Sequence, residues 1–129
     1  MLEREKLNEI SKIIVDACYS VHKEMGPGLL ESVYEFCLLK ELSLQGVYVQ
    51  SQVSIPLIYK GFELSKDFRI DILVENEIIL ELKAVDLIIP VHKAQIISYL
   101  KLADKRLGFL INFNVPLIKD GIQRIVNNF

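Results

Sequence analysis

The sequence predicts an α/β fold, a mixed central β-sheet flanked by helices, with the element order ααβββαβα. Three observations carry it. Two helical patterns, each closed by a glycine, precede three β-rich segments. Residues 78–113 then read strand, helix, strand, which places the last strand parallel to a neighbour. A sheet with such a crossover is covered on both sides, and its strands are apolar enough for that.

The first helix is expected over residues 3–25, where Leu7, Ile10, Ile13, Ile14, Ala17, Cys18, Val21 and Met25 recur at three- and four-residue spacings. Gly26-Pro27-Gly28 stops it. A second helix follows from about Leu30 to Gln45, ended by Gly46, and its apolar residues on most sides predict burial. Val47 to Tyr59 is β-rich, and Pro56 within it predicts an edge position or a bulge. Lys60-Gly61 reads as a turn into a strand over Phe62–Val74, followed by a strand over Ile78–Val85. Helical periodicity returns from Val91 to Ala103, Leu107–Phe113 is a further strand, and Ile118–Val126 is expected to be a short terminal helix.

Polar groups inside two of these strands are the most informative feature. The runs are Phe68-Arg69-Ile70-Asp71-Ile72-Leu73-Val74 and Ile78-Ile79-Leu80-Glu81-Leu82-Lys83-Ala84-Val85. A hairpin centred on Asn76 pairs 74 with 78, 72 with 80 and 71 with 81. Alternation then puts Arg69, Asp71, Leu73, Ile79, Glu81 and Lys83 on one face and Ile70, Ile72, Val74, Ile78, Leu80 and Leu82 on the other. Two opposed carboxylates in a sheet repel, and partial burial raises the cost. A divalent cation between them reverses the sign of the local electrostatics. The competing explanation is an internal salt bridge of Lys83, joined by Arg69, with the carboxylates; ion pairs of that kind rarely stabilise a fold.

The 129 residues suffice for one domain, expected over 1–129. The 51% hydrophobic content and mean hydropathy of +0.32 suggest a fully covered sheet or an apolar surface used in self-association, as in a homodimer or with a partner protein. No apolar stretch is long enough to span a bilayer, and the first residues lack a signal-peptide pattern, so a cytoplasmic protein without membrane partners is expected. Cys18 and Cys37 read as reduced core thiols. Cys18 and His22 stand four apart, but with no partner pair nearby zinc is not expected. The net charge is −2, and residues 60–106 carry equal numbers of acidic and basic side chains. That balance disfavours a duplex grip built on phosphate neutralisation alone.

The assembled residues resemble the PD-(D/E)XK nuclease superfamily, whose metal site joins an Asp on one strand to Glu-x-Lys on the next. More closely, the chain is similar to the small GxxExxY family assigned to that superfamily. The naming motif stands as Gly28-Leu29-Leu30-Glu31-Ser32-Val33-Tyr34, preceded by Val21-His22-Lys23-Glu24-Met25-Gly26-Pro27. The similarity continues through Glu81-Leu82-Lys83-Ala84-Val85, Pro90-Val91-His92-Lys93-Ala94-Gln95 and Leu110-Ile111-Asn112-Phe113-Asn114-Val115-Pro116. Gln95-Ile96-Ile97-Ser98-Tyr99 matches the Q-x-x-x-Y helix of the RecB-like branch. The Pro that often precedes the Asp is replaced by Ile70.

The resemblance implies a restriction-endonuclease-like core and a Mg²⁺- or Mn²⁺-dependent hydrolysis of phosphodiesters in nucleic acid, DNA before RNA. Asp71, Glu81 and the main-chain carbonyl of Leu82 would ligate the ion, since Mg²⁺ takes few protein oxygens and keeps several waters. Lys83 would orient the attacking water and stabilise charge on the phosphate. Glu31 would be a third acidic group, although a carboxylate at a helix start also serves the dipole. Tyr34 fits a core aromatic with a satisfied hydroxyl equally well. Gln95 and Tyr99, one turn apart, would position substrate. His92 and Lys93 at a helix start would favour phosphate, and Arg69 would assist them. The alternative is a non-catalytic nucleic-acid or protein interaction module retaining the scaffold.

Overall fold

A computed structural model describes residues 2–129, except for the side chains of residues 65–67. The elements are α1 (Arg4–Met25), α2 (Glu31–Leu44), β1 (Val49–Tyr59), β2 (Phe62–Val74), β3 (Ile78–Lys83), α3 (Pro90–Leu102), β4 (Leu107–Asn112), a 3₁₀ turn (Ile118–Gly121) and β5 (Ile122–Val126). The five strands form one sheet in sequence order. β3 and β4 are parallel, joined through α3, and every other neighbouring pair is antiparallel. The expected mixed sheet is present, with its helices on both faces.

Each face has its own apolar cluster. The buried side of α1 (Leu7, Ile10, Ile14, Ala17, Cys18, Val21) and three residues of α2 (Tyr34, Leu38, Leu42) pack on Ile72, Val74, Ile78, Leu80, Leu82, Leu107, Phe109 and Ile111. On the other side, Ile96, Tyr99 and Leu100 of α3 pack on Ile55, Ile70, Leu73, Ile79, Leu110 and Ile125. Residues 107, 109 and 111 thus face one way and 110 the other, as a fully buried central strand requires. α3 approaches closely: a Cβ on Gly108 would lie 3.1 Å from Ile96 Cδ1 and 3.1 Å from the Ile79 carbonyl oxygen. Cys18 is fully buried, which pushes its thiol up to about 12, while Cys37 is half-buried.

β1 lies at the sheet edge and its pairing shifts between Pro56 and Ile58, so Pro56 marks both an edge and a bulge. Lys60 and Gly61 both adopt positive φ, the geometry of a tight hairpin turn. Beyond the part of β2 that pairs with β3, residues 55–68 extend as a two-stranded arm.

Three expectations are corrected. Residues 118–126 do not form a helix; they make the 3₁₀ turn and β5, an antiparallel strand against β4. Ile122 and Ile125 carry a pattern short enough to suit either state, and only the open edge of β4 selects the strand. The second helix is not buried all round, because Phe36 and Leu44 are 69% and 74% exposed. Ile70 does not lie with Ile72 but in the α3 cluster.

Gly121 is held against the last turn of β4. A Cβ there would sit 2.1 Å from the Asn112 carbonyl oxygen, a backbone atom that cannot swing away. Gly121→Ala is therefore expected to destabilise the fold by about 2 kcal/mol or more. Chemical denaturation of the two proteins measures it.

Candidate functional site

The displacement of Ile70 has a local cause. β1 and β2 pair Ser51 with Ile72 and Val53 with Ile70, but the pair between them, Gln52 and Asp71, drops out of the ladder. Gln52 adopts φ 54°. On the other side, β2 and β3 pair 74 with 78, 73 with 79 and 72 with 80, as the hairpin predicts, and the ladder ends before 71 and 81. Asp71 is thus released from both neighbours, and the alternation of faces is broken at that residue.

Side chains replace the missing backbone pairing. Asp71 Oδ2 accepts a hydrogen bond from the Leu82 N–H at 2.8 Å, and Glu81 Oε1 accepts one from the Asp71 N–H at 3.2 Å. The two carboxyl groups are thereby crossed over the strand boundary. Glu81 is 4% exposed, and burial first, then the neighbouring Asp71 carboxylate, pushes its carboxyl up to about 9. Donation from the Asp71 N–H and the nearby Lys83 charge act in the opposite direction.

The salt-bridge explanation is not met. Among the described residues the ion pairs are Lys6–Glu9 and Lys12–Asp16, both on the exposed side of α1. Neither Lys83 nor Arg69 reaches within ion-pair distance of the carboxylates. Arg69 is exposed, and alternation from Phe68 and Ile70 turns it away from the α3 face. It does not share the face of Leu73 and Ile79.

α2 delivers two more acids. Glu31 is the first residue of the helix, and burial, then Asp71, raise its pKa while Lys83 lowers it. Glu35, one turn later, is also raised by burial and by Asp71, and accepts hydrogen bonds from Gln52 Nε2 at 2.8 Å and Ser51 Oγ at 3.4 Å. Sequence reasoning missed Glu35, although its i+4 spacing from Glu31 is the signal that would have found it.

Tyr34 anchors this helix start. It is fully buried, stacks on Phe113 with ring centroids 4.6 Å apart, donates to the Gly26 carbonyl at 2.6 Å and accepts from the Leu29 N–H at 3.1 Å. Gly26 and Gly28 both take positive φ in the loop that it closes. The aromatic of the Gly-x-x-Glu-x-x-Tyr motif thus locks the loop that presents Glu31.

α3 brings Gln95 and Tyr99 beside the site. Tyr99 is 5% exposed, tilts against Phe68 at 5.1 Å, and its hydroxyl is raised by burial, Glu81 and Asp71. His92 uses Nδ1 to accept from the Ile89 N–H at 3.1 Å, capping the helix, and Lys93 is exposed on its first turn. His22 Nε2 donates to the Val115 carbonyl at 2.8 Å.

The donor set suits a hard dication: acidic oxygens from adjacent strands, drawn together where, among the described residues, no cation lies within ion-pair distance. Asp71 and Glu81 are the pair that would hold it. Among the described residues, no group of three or more His, Cys, Asp or Glu side chains is arranged around one ion. Glu31 therefore stands as an electrostatic neighbour of the pair.

The sign of the Glu81 shift makes a prediction. Between about pH 4.5 and 9 the folded chain keeps a proton that the unfolded chain has lost, so Glu81 costs stability as pH rises. Glu81→Gln removes that titration. In chelator it is expected to melt above wild type at pH 8, with the difference shrinking towards pH 4.5. Thermal melts across that range measure it.

Comparison with known proteins agrees with this geometry. A family model described as PD-(D/E)XK nuclease superfamily matches residues 8–125, nearly the whole chain. No curated protein and no solved structure matches it. Proteins of this superfamily generally use divalent metals, and nucleic acid is their implied partner. Among the described residues no helix is long and apolar enough to cross a membrane. With a mixed sheet carrying Asp71 and Glu81-Leu82-Lys83 on adjacent strands, and a family match over residues 8–125, the chain belongs to the PD-(D/E)XK nuclease superfamily.

Proposed function

We propose that the protein is a Mg²⁺- or Mn²⁺-dependent nuclease that hydrolyses phosphodiester bonds, of DNA in preference to RNA, and that it is a GxxExxY-type member of its superfamily. The observation that carries the reading is the crossed pair of Asp71 and Glu81, two carboxyl groups brought together at a break in the sheet with no cation within ion-pair distance among the described residues. Asp71, Glu81 and the Leu82 carbonyl would hold the ion. When bound, a divalent ion acidifies water and polarises phosphoryl oxygens.

The chain's own groups do the rest. Lys83, two residues beyond Glu81, orients the attacking water and stabilises charge developing on the phosphate. Glu31 supplies a third acid, which takes up the proton of that water. Gln95 and Tyr99 position the substrate against the carboxylates. His92 and Lys93, at the start of α3, contact flanking phosphates, and exposed Arg69 meets phosphate from the other side of β2. Two unpaired thiols fit a reducing compartment such as the cytoplasm.

A second reading, a non-catalytic nucleic-acid or protein interaction module on the same scaffold, draws on one observation: no three acidic side chains are arranged around one ion among the described residues. One experiment separates the two. Wild type is expected to gain thermal stability on titration with Mg²⁺ or Mn²⁺ and to cleave plasmid or single-stranded DNA. Asp71→Asn is expected to lose both, and Lys83→Ala to cleave at least about 100-fold more slowly while still binding metal. Binding of DNA without cleavage supports the module. Wild-type cleavage by Lys83→Ala sinks the role assigned to Lys83.

A further inference from the structure

Phe68 of β2 and the outer face of α3 line an open groove of about 290 Å³, formed by Phe68, Val91, Ala94, Gln95, Ser98 and Tyr99. We propose that it seats one unpaired nucleobase, so that the substrate is a single strand; this rests on the nuclease reading of Asp71 and Glu81.

The lining has the chemistry of a base and lacks that of a phosphate. All six side chains are uncharged. Phe68 is 37% exposed, and Tyr99, 5% exposed, meets it in a tilted contact at 5.1 Å. Val91, 62% exposed, offers apolar surface from α3. Gln95 brings an amide with both donor and acceptor, and Ser98 a hydroxyl that is either, which suits the hydrogen-bonding edge of a base. Stacking on such a ring tolerates any base, because every base has a π-face.

Continuity with the site comes through β2: Phe68 stands three residues before Asp71 on the same strand. Tyr99 both meets Phe68 and packs with Ile70, Leu73 and Ile79, the neighbours of the two acids on their strands. A base held on Phe68 thus belongs to a strand that runs along β2 towards the carboxylates. A paired base in a duplex is stacked above and below and has no free face for the groove. The charge balance agrees: a chain of net charge −2 gains little from phosphate neutralisation, whereas stacking needs no basic surface. Tyr59 and Phe62, at the tip of the same arm, are exposed as well, at 63% and 73%.

The chain contains no tryptophan, so Phe68→Trp places a lone indole in the groove. Its emission is expected to be quenched by a single-stranded 12-mer and left unchanged by the duplex of the same sequence. In the Asp71→Asn background, where cleavage is removed, adding Phe68→Ala is expected to weaken binding of the single strand about tenfold or more, and Phe68→Tyr to restore it. A strand of abasic sites is expected to bind Asp71→Asn as weakly as the normal strand binds the double variant, with no further loss on adding Phe68→Ala. Phe68→Leu keeps apolar volume without the ring and serves if the alanine variant unfolds.

Equal quenching by duplex, or unchanged binding in the Phe68 variants, overturns the proposal. Self-association through the groove, seen as concentration-dependent mass with indole quenching and no nucleic acid, overturns it too. Cleavage of the abasic strand by wild type isolates the chemistry. If that strand is cut while Phe68 changes nothing, the base seat fails and the nuclease reading stands. If nothing is cut while quenching and abasic coupling persist, the nuclease reading fails and the single-strand seat remains.

Discussion

Two hydrogen bonds, from the Leu82 N–H to Asp71 and from the Asp71 N–H to Glu81, organise the functional end of this molecule. They occupy the position where the β2–β3 ladder would otherwise add another pair. A sheet continued by ordinary pairing would point the two acids straight out beside one another, with only repulsion between them. Crossing them gives each carboxyl a backbone donor, and no buried side-chain polar atom among the described residues lacks a partner. The cost appears instead as a buried acid that resists ionisation. Such a group is expensive to keep for stability alone, and its chemistry is available to a cation or a proton.

The elements around the break have complementary tasks. Tyr34, stacked on Phe113 and bonded to both sides of the Gly26–Leu29 loop, fixes the start of α2. Gln52 and Ser51 hold Glu35 across from β1. The close packing of α3 against Gly108 sets the depth at which Tyr99 meets the site. Three elements therefore converge on one sheet irregularity; α2 and α3 are secured on the packed core, and β1 through its side-chain bonds to Glu35. Sites whose supports lean on packed elements keep their geometry when the reactive groups change charge.

Much of this was legible in the chain. Hairpin register follows from a symmetric loop centred on Asn76, which sets 74 against 78 and 72 against 80. Pro56 announced the edge. The short apolar tail reads as a helix because Ile122 and Ile125 fit either period, and the open edge of β4 that resolves them is a tertiary fact. Ile70 misled for a different reason: alternation assumes continuous pairing, and the interruption at Gln52 and Asp71 has no signature in residue type. Glu35 was visible by spacing alone, but its importance comes from Gln52, which the sequence places 17 residues away.

β3 does not end at its last ladder pair. The Phe113 N–H bonds the Lys83 carbonyl at 3.0 Å, and the Asn112 side chain both donates to the Val85 carbonyl and accepts from its N–H, at 2.9 and 3.1 Å. The amide acts as a clasp, so the chain leaves the sheet at a fixed point whatever follows. The connection over residues 86–89, with Leu87 72% exposed, is mechanically insulated from Lys83. Evolution is free to lengthen or recompose that stretch, and so to diversify what approaches the cleft, while the reactive strand stays where it is.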